Sequence, residues 1–252
     1  MTNLKSIACA ALALCVVALP LAAEAQGRGG GQGRGGMMGG GNMMQGPGML
    51  LARKDVHKDL KLSTDQTTKL EALQKEYRDK LMAMFEGMRG QGGQGGQGGE
   101  RPDFTTIQKD MEKMSTDLNE KSLALIDDAQ KARLGQIELQ MKGNRAIMEE
   151  KTQKELGFST AQRRQVEDLE KSMNDANQAI FARAQNGEID RTEIRPLMEE
   201  NNRILDGELV KVLTGEQKTK FESMKGPKFE RDPKVDEEMR NMMGRGGRGG
   251  GN

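Results

Sequence analysis

Apolar residues in this chain recur at steps of three and four, the period of one helix face, and the strict alternation that marks strands is absent. Leu70, Leu73, Tyr77, Leu81, Met84 and Met88 form one stripe and predict a helix over about Thr64–Met88. A glycine tract from Gly87 ends it and opens a Gly-rich loop over 87–100. Ile107, Met111, Met114, Leu118 and Leu125 continue the pattern in a second helix near Thr105, where Thr105-Thr106-Ile107-Gln108 reads as a capping box. Leu134, Ile137 and Met141 belong to a shorter third helix. Val166, Leu169, Met173, Ala176, Ile180 and Ala184 make the clearest stripe of all. After a turn at Asn186-Gly187, a capping box at Asp190-Arg191-Thr192-Glu193 leads to Ile194, Leu197, Leu205, Leu209 and Val212. Pro196 either delays that helix or kinks it. A last short helix ends near Lys225, before Gly226-Pro227.

Four copies of one motif organise these elements: Leu62-Ser63-Thr64-Asp65-Gln66, Ile126-Asp127-Asp128-Ala129-Gln130, Phe158-Ser159-Thr160-Ala161-Gln162 and Leu213-Thr214-Gly215-Glu216-Gln217. Each is an apolar residue, a capping residue, two variable positions and Gln. In a capping box the Ser, Asp or Thr side chain accepts the N–H three residues on, and the Gln reaches back to the cap's own N–H. Ser63, Asp127, Ser159 and Thr214 therefore mark helix starts. The residues after each Gln (Thr67, Lys131, Arg163 and Lys218) cannot form a hydrophobic staple, so the leading Leu62, Ile126, Phe158 and Leu213 are expected in the helix–helix seam.

Copies one and two are farther apart than copies three and four, and each odd copy opens a long segment while each even copy opens a short one. The chain is thus all-α and a tandem of two related modules, 51–142 and 143–225. Each module is expected to be a long antiparallel hairpin with a short third helix folded back. Its long helices, of roughly 20–24 residues, span about 30–36 Å. The segment Gly143–Glu155 joins the modules and is helical in pattern through Arg145–Lys154; a short helix is also expected over about Leu51–Leu60.

The flanks differ. Lys5, an apolar run from Ile7 to Leu21 and Ala23-Glu24-Ala25 read as a signal peptide over 1–25, cleaved after Ala25, which predicts a periplasmic or secreted protein. Residues 26–50 are Gly-, Met- and Arg-rich, and 226–252 are charged and then Met- and Gly-rich; both are expected to be disordered. Cys9 and Cys15 leave with the leader, so no disulfide supports the mature chain. Loss of the leader removes one charge of each sign, Lys5 and Glu24, and the net charge stays at +1. That balance gives no reason to expect a nucleic-acid partner, although the Gly-Arg-Gly-Gly segments are similar to RNA-binding repeats. No later stretch is apolar enough for stable membrane insertion. With no Trp, one Tyr and six Phe, the apolar content is aliphatic and methionine, which suits narrow helix seams.

The L-[ST]-x-x-Q pattern, set in Met-, Gln- and Lys-rich helices behind an export signal, resembles the Spy/CpxP family, small all-helical periplasmic proteins that answer envelope stress. The nearest likeness is Leu213 to Phe221, which is similar to the family's second motif; Ile126-Asp127 departs from it but keeps the cap chemistry. The resemblance covers the two modules and implies binding of unfolded or stressed envelope proteins without ATP. Spy-like proteins are similar to one module and pair as antiparallel dimers. The tandem chain would accordingly form an intramolecular pseudo-dimer, or lie extended and form a homodimer.

Candidate chemistry is sparse. One His, His57, and no Cys in the mature chain leave no nucleophile–base pair and no two Glu-x-x-His motifs for a di-iron bundle, so the chain reads as a non-enzyme without cofactor. The carboxylates read as solvated helix charges and His57 as a surface residue, with no metal site assigned. Met37, Met38, Met43, Met44 and Met49 sit where no core needs them; thioethers select Cu(I), and metal sensing or sequestration is the alternative function.

Overall fold

The computed structural model describes residues 46–92 and 104–244. The signal peptide, the Met37–Met44 cluster, most of the Gly-rich loop and the end of the tail lie outside the described residues. Among those described every regular element is helical: α1 (Pro47–Leu50), α2 (Lys54–Asp59), α3 (Thr64–Gly92), α4 (Phe104–Ala124), α5 (Asp128–Lys142), a 3-10 segment (Gly143–Met148), α6 (Glu150–Leu156), α7 (Thr160–Gln185), α8 (Arg191–Val212), α9 (Gly215–Met224) and α10 (Pro233–Gly244). They form two compact units, the first residues 46–141 together with 224–244 and the second Lys142–Ser223.

In the second unit α7 and α8 pack along each other as a hairpin. Gln162 at the start of α7 bonds the Val212 carbonyl at the end of α8, and Asn177 pairs with Asn201 halfway up, so the helices are antiparallel. Val166, Leu169, Leu205, Leu209, Leu213 and Phe221 are buried, with Ala146, Ile147 and Leu156 from the 3-10 segment and α6. Gly143–Glu155 is therefore not a linker. It breaks at Glu149, which is extended (φ −80°, ψ 132°), and its two halves are the lead-in of the second module. Pro196 neither delays α8 nor displaces its cap: the helix starts at Arg191 behind Asp190, and the proline stands in its second turn.

The first unit uses the same lead-in, α1 and α2, and the correspondence is detailed. Both end in a Schellman turn: Leu62 N–H to His57 O (3.1 Å) with Lys61 at φ 50°, and Phe158 N–H to Gln153 O (2.9 Å) with Gly157 at φ 69°. His57 is half-buried, not a surface residue; its Nε2 donates to the Leu51 carbonyl at 2.6 Å. Gln153 holds the matching place, with Nε2 donating to the Ile147 carbonyl at 3.1 Å. A neutral amide does what the imidazole does, so the lone histidine is a backbone donor that ties α2 to the turn before it.

Helix α1 begins inside the segment expected to be disordered. Pro47 at the first turn pre-sets φ, and the Gly48 backbone is held from both sides, its N–H by Asn119 Oδ1 (2.8 Å) and its carbonyl by Gln74 Nε2 (2.6 Å). A Cβ on Gly48 would meet Leu118 Cγ and Asn119 Oδ1 at 2.9 Å, so only glycine permits this approach. Helix α3 runs on to Gly92 instead of ending at Gly87, because glycine weakens a helix without removing a hydrogen-bond donor. Helix α4 starts at Phe104, which puts Thr105 within the first turn and not at the cap.

The largest departure is the C-terminal segment. Residues 225–232 run without regular structure back over the first module and lead into α10. Phe229 is buried with Leu50, Leu51, Val56, Leu60, Leu70, Ile126, Leu134 and Ile137. Asp232 accepts the Lys234 N–H and Pro233 opens α10, a cap-and-proline start in a segment expected to be disordered. Arg53, almost wholly buried, makes a two-bond contact with Asp55 (2.6 and 3.0 Å) and reaches Asp236 at 2.8 Å. Asp55 also accepts the Asp232 N–H, so this carboxylate is not a solvated helix charge. Burial opposes the Arg53 charge, yet the bonds to Asp55 and Asp236 outweigh it and hold the pKa above its ordinary value.

Phe229→Ala should destabilise the first module by about 3–5 kcal/mol, the usual cost of emptying a buried aromatic site. Urea unfolding followed by hydrogen exchange in α2 and α5 measures it, and a change under about 1 kcal/mol would show that the strap adds nothing to this core.

Acid should loosen the same strap. Burial alone would raise the Asp236 carboxyl, but hydrogen bonds from Arg231 and Arg53 outweigh it and keep it below the usual range. A depressed carboxyl contributes stability above its unfolded pKa of about 3.9 and loses it as pH falls through the lower folded value. Exchange at α10 amides should accelerate as pH drops below about 4 once intrinsic rates are corrected, and Asp236→Asn should remove most of that dependence.

Candidate functional site

The four motifs form two joints of one design. At each, the cap and its Gln close the box: Gln66 N–H to Ser63 Oγ 3.1 Å and Ser63 N–H to Gln66 Oε1 2.9 Å. The matching pairs are 2.8 and 3.0 Å at Asp127, 3.2 and 3.0 Å at Ser159, and 3.2 and 3.0 Å at Thr214. The leading residues Ile126, Phe158 and Leu213 are buried and Leu62 is half-buried.

Pairing between motifs is what spacing could not disclose. Gln66 Nε2 donates to Gln130 Oε1 at 2.8 Å and Gln130 Nε2 returns a bond to Gln66 Oε1 at 3.3 Å. Gln162 and Gln217 make the same reciprocal pair at 2.6 and 3.3 Å. Each amide then spends its second N–H on the helix-terminal carbonyl that precedes its partner's motif, within the same joint. Gln66 bonds Leu125 O and Gln162 bonds Val212 O, both at 3.0 Å; Gln130 bonds Leu60 O at 3.3 Å and Gln217 bonds Leu156 O at 3.2 Å. One side chain thus caps its own helix, satisfies an orphan carbonyl of another and clamps the two starts together. These residues are consumed in structure and leave no free group for chemistry.

On α3 and α4 titratable side chains pair along their own helices, as in Lys80–Glu76 and Lys121–Asp117 at 2.7 and 2.8 Å. Bonds from the Thr192 hydroxyl and N–H hold the Asp190 carboxyl below its usual range, a capping effect. Among the described residues no three His, Cys, Asp or Glu side chains gather as metal ligands, and no helix is long and apolar enough to cross a membrane. Ser122 is fully buried with its hydroxyl unpartnered, at the place where the second hairpin carries Leu209.

The feature left available is apolar. In the first hairpin full burial stops at Leu70 on α3 and Leu118 on α4. Beyond them Leu73, Tyr77, Leu81 and Met84 on α3, and Ile107, Met111 and Met114 on α4, stay half-buried, and Met82 is 59 % exposed. Partial burial pushes the Tyr77 phenol above its ordinary pKa. The second hairpin repeats this with Met173, Ile194, Leu197 and Met198 half-buried, although Ile180 is covered. Along the distal half of each hairpin the side chains of the seam are thus mostly only partly covered. Shallow depressions lined by Lys75, Glu76 and Asp79 or by Lys109, Glu112 and Asp117 gather surface charges, of which Lys75–Asp79, Lys80–Glu76 and Lys121–Asp117 are paired.

Comparison with protein-family models, with curated proteins and with solved structures gives no match.

Ser159→Ala should cost about 0.5–2 kcal/mol by losing a cap. Replacing Gln66 or Gln130 singly by Leu should cost about 1–3 kcal/mol, because the remaining amide keeps unmet bonds. The double replacement should cost less than the sum, with a coupling of about 0.5–3 kcal/mol in a urea-unfolding cycle; strict additivity would show that the two amides do not act as a pair.

Proposed function

We propose that this chain is an exported, ATP-independent binding protein of the Spy/CpxP type, which holds unfolded or aggregation-prone envelope polypeptides. The observation that carries the reading is the open distal seam of each hairpin, where Leu, Met, Tyr and Ile side chains stay half-buried between rows of self-paired charges. Such a surface offers apolar contact without a fixed pattern of donors. Thioethers at Met84, Met111, Met114, Met173 and Met198 adapt to many shapes, a property of promiscuous surfaces. The flanking ion pairs keep the face soluble and add little binding energy of their own. The same reading makes the protein a non-enzyme, and its four motifs a scaffold that keeps the seams straight.

In an aggregation assay with a chemically unfolded client, the mature protein at several-fold excess should suppress light scattering without nucleotide. The variant carrying Leu81→Glu and Met111→Glu should keep its helical content and lose most of that protection. Full protection by the variant would remove the first hairpin's seam from the binding surface, and no protection by the parent protein would end the proposal.

A further inference from the structure

The way the strap is held on the first module has the form of peptide recognition. Its residues 225–232 lie without regular structure, and the bonds that fix them go to their backbone. Gln140 Nε2 donates to the Lys225 and Pro227 carbonyls at 2.6 and 2.8 Å, and Gln140 Oε1 accepts the Phe229 N–H at 2.8 Å. Arg133, anchored on Asp59 by two bonds of 2.6 and 2.9 Å, donates to the Pro227 carbonyl at 2.8 Å. Asp55 accepts the Asp232 N–H at 3.0 Å. Only Phe229 enters the apolar core as a side chain. Backbone bonds are available from any polypeptide; beyond them the strap supplies one large apolar side chain two residues past the carbonyl that Arg133 takes, and a glycine in the left-handed region, Gly226 (φ 61°), one residue before that carbonyl.

We infer that the groove formed by Arg133, Gln140 and Asp55 around the Phe229 pocket is a peptide-binding site, and that residues 225–232 occupy it as an exchangeable internal ligand. The partner is a segment of an unfolded polypeptide without regular structure, bearing an aromatic residue. The inference rests on the reading that this chain holds unfolded polypeptides, and it adds a second site, distinct from the open seams. The site is available when the strap lifts. Its ionic hold, Arg53 and Arg231 on Asp236 with the exposed Lys54–Glu238 pair, is made to α10, C-terminal to the residues that fill the groove.

The test uses a fluorescent peptide of the sequence Lys225 to Val235 and its Phe→Ala form, titrated into the full mature chain and into its Phe229→Ala variant. The variant should bind the Phe-containing peptide at least tenfold more tightly than the parent does, and the bound peptide should raise the variant's melting temperature; the Ala peptide should do neither. Arg133→Ala in the same background should weaken binding several-fold. Should the Phe229→Ala chain fail to fold even with peptide present, hydrogen exchange in the parent protein decides: excess unfolded client should speed exchange at the Phe229 and Asp232 amides. No such acceleration, or a folded variant that ignores the peptide, overturns the inference. So does a parent that exchanges straps between copies and forms a dimer while refusing the peptide. Protection against aggregation that survives loss of peptide binding would leave the open seams as the working surface and remove this site alone.

Discussion

The reciprocal amide pair between motif glutamines is the interaction on which each module depends. A helical hairpin needs its two helices started in register, and each start exposes backbone donors just where the preceding helix exposes carbonyls. Gln is the side chain that answers all of these demands together. Its oxygen accepts the cap N–H and a partner amide, and its nitrogen has one hydrogen for the partner and one for a terminal carbonyl. Glu could close the capping box but would bring two acceptors and no donor, and Leu would bring neither. The pairs Gln66–Gln130 and Gln162–Gln217 have the same topology bond for bond, so the lock belongs to the repeat and not to one copy of it.

From that lock follows the distribution of burial. Near the joints, the lead-in helices cover the seam and side chains such as Leu70, Ile137, Ile147 and Leu209 reach full burial. Farther out only two helices remain, and a two-helix layer cannot cover both sides of its own apolar stripe. Half-buried Leu81 and Met111 are the geometric consequence. The modules also complete their cores differently. The second has Phe158 and Phe221 where the first has Leu62 and Leu134, and the first instead receives Phe229 from the far end of the chain. A module that completes its core with a distant strap has a stability that depends on keeping the strap docked; the second module carries its aromatic residues, Phe158 and Phe221, within its own segment.

Much of this was legible in the residues. The three-and-four periodicity, the cap boxes at Ser63, Asp127, Ser159, Thr214 and Asp190 and the long–short alternation of the motifs are local signals, and local backbone chemistry decides where helices start. What escaped was nonlocal. The lead-in Gly143–Leu156 looked like a linker because its kinship with α1 and α2 lies in a turn geometry and a carbonyl bond, made by His57 in one copy and Gln153 in the other, which share no side-chain chemistry beyond an N–H. Composition hid the strap: a charged segment with a single Phe cannot form a core alone, and only the groove on α2 and α5 gives Phe229 somewhere to go.

Sequence by itself, then, determined the all-helical fold and the helix starts at Ser63, Asp127, Ser159, Asp190 and Thr214, because capping and amphipathic period act within a few residues of their cause. Tertiary structure alone decided that the motif glutamines meet in pairs, that Arg53 and Asp55 are buried together, and that residues 225–244 belong with the first module. Those outcomes depend on groups far apart in the chain, 177 residues for Asp55 and Asp232 and 184 for Lys54 and Glu238. Burial of an apolar side chain or a matched charge is favourable only once the opposing surface exists, and no property of the isolated segment announces it.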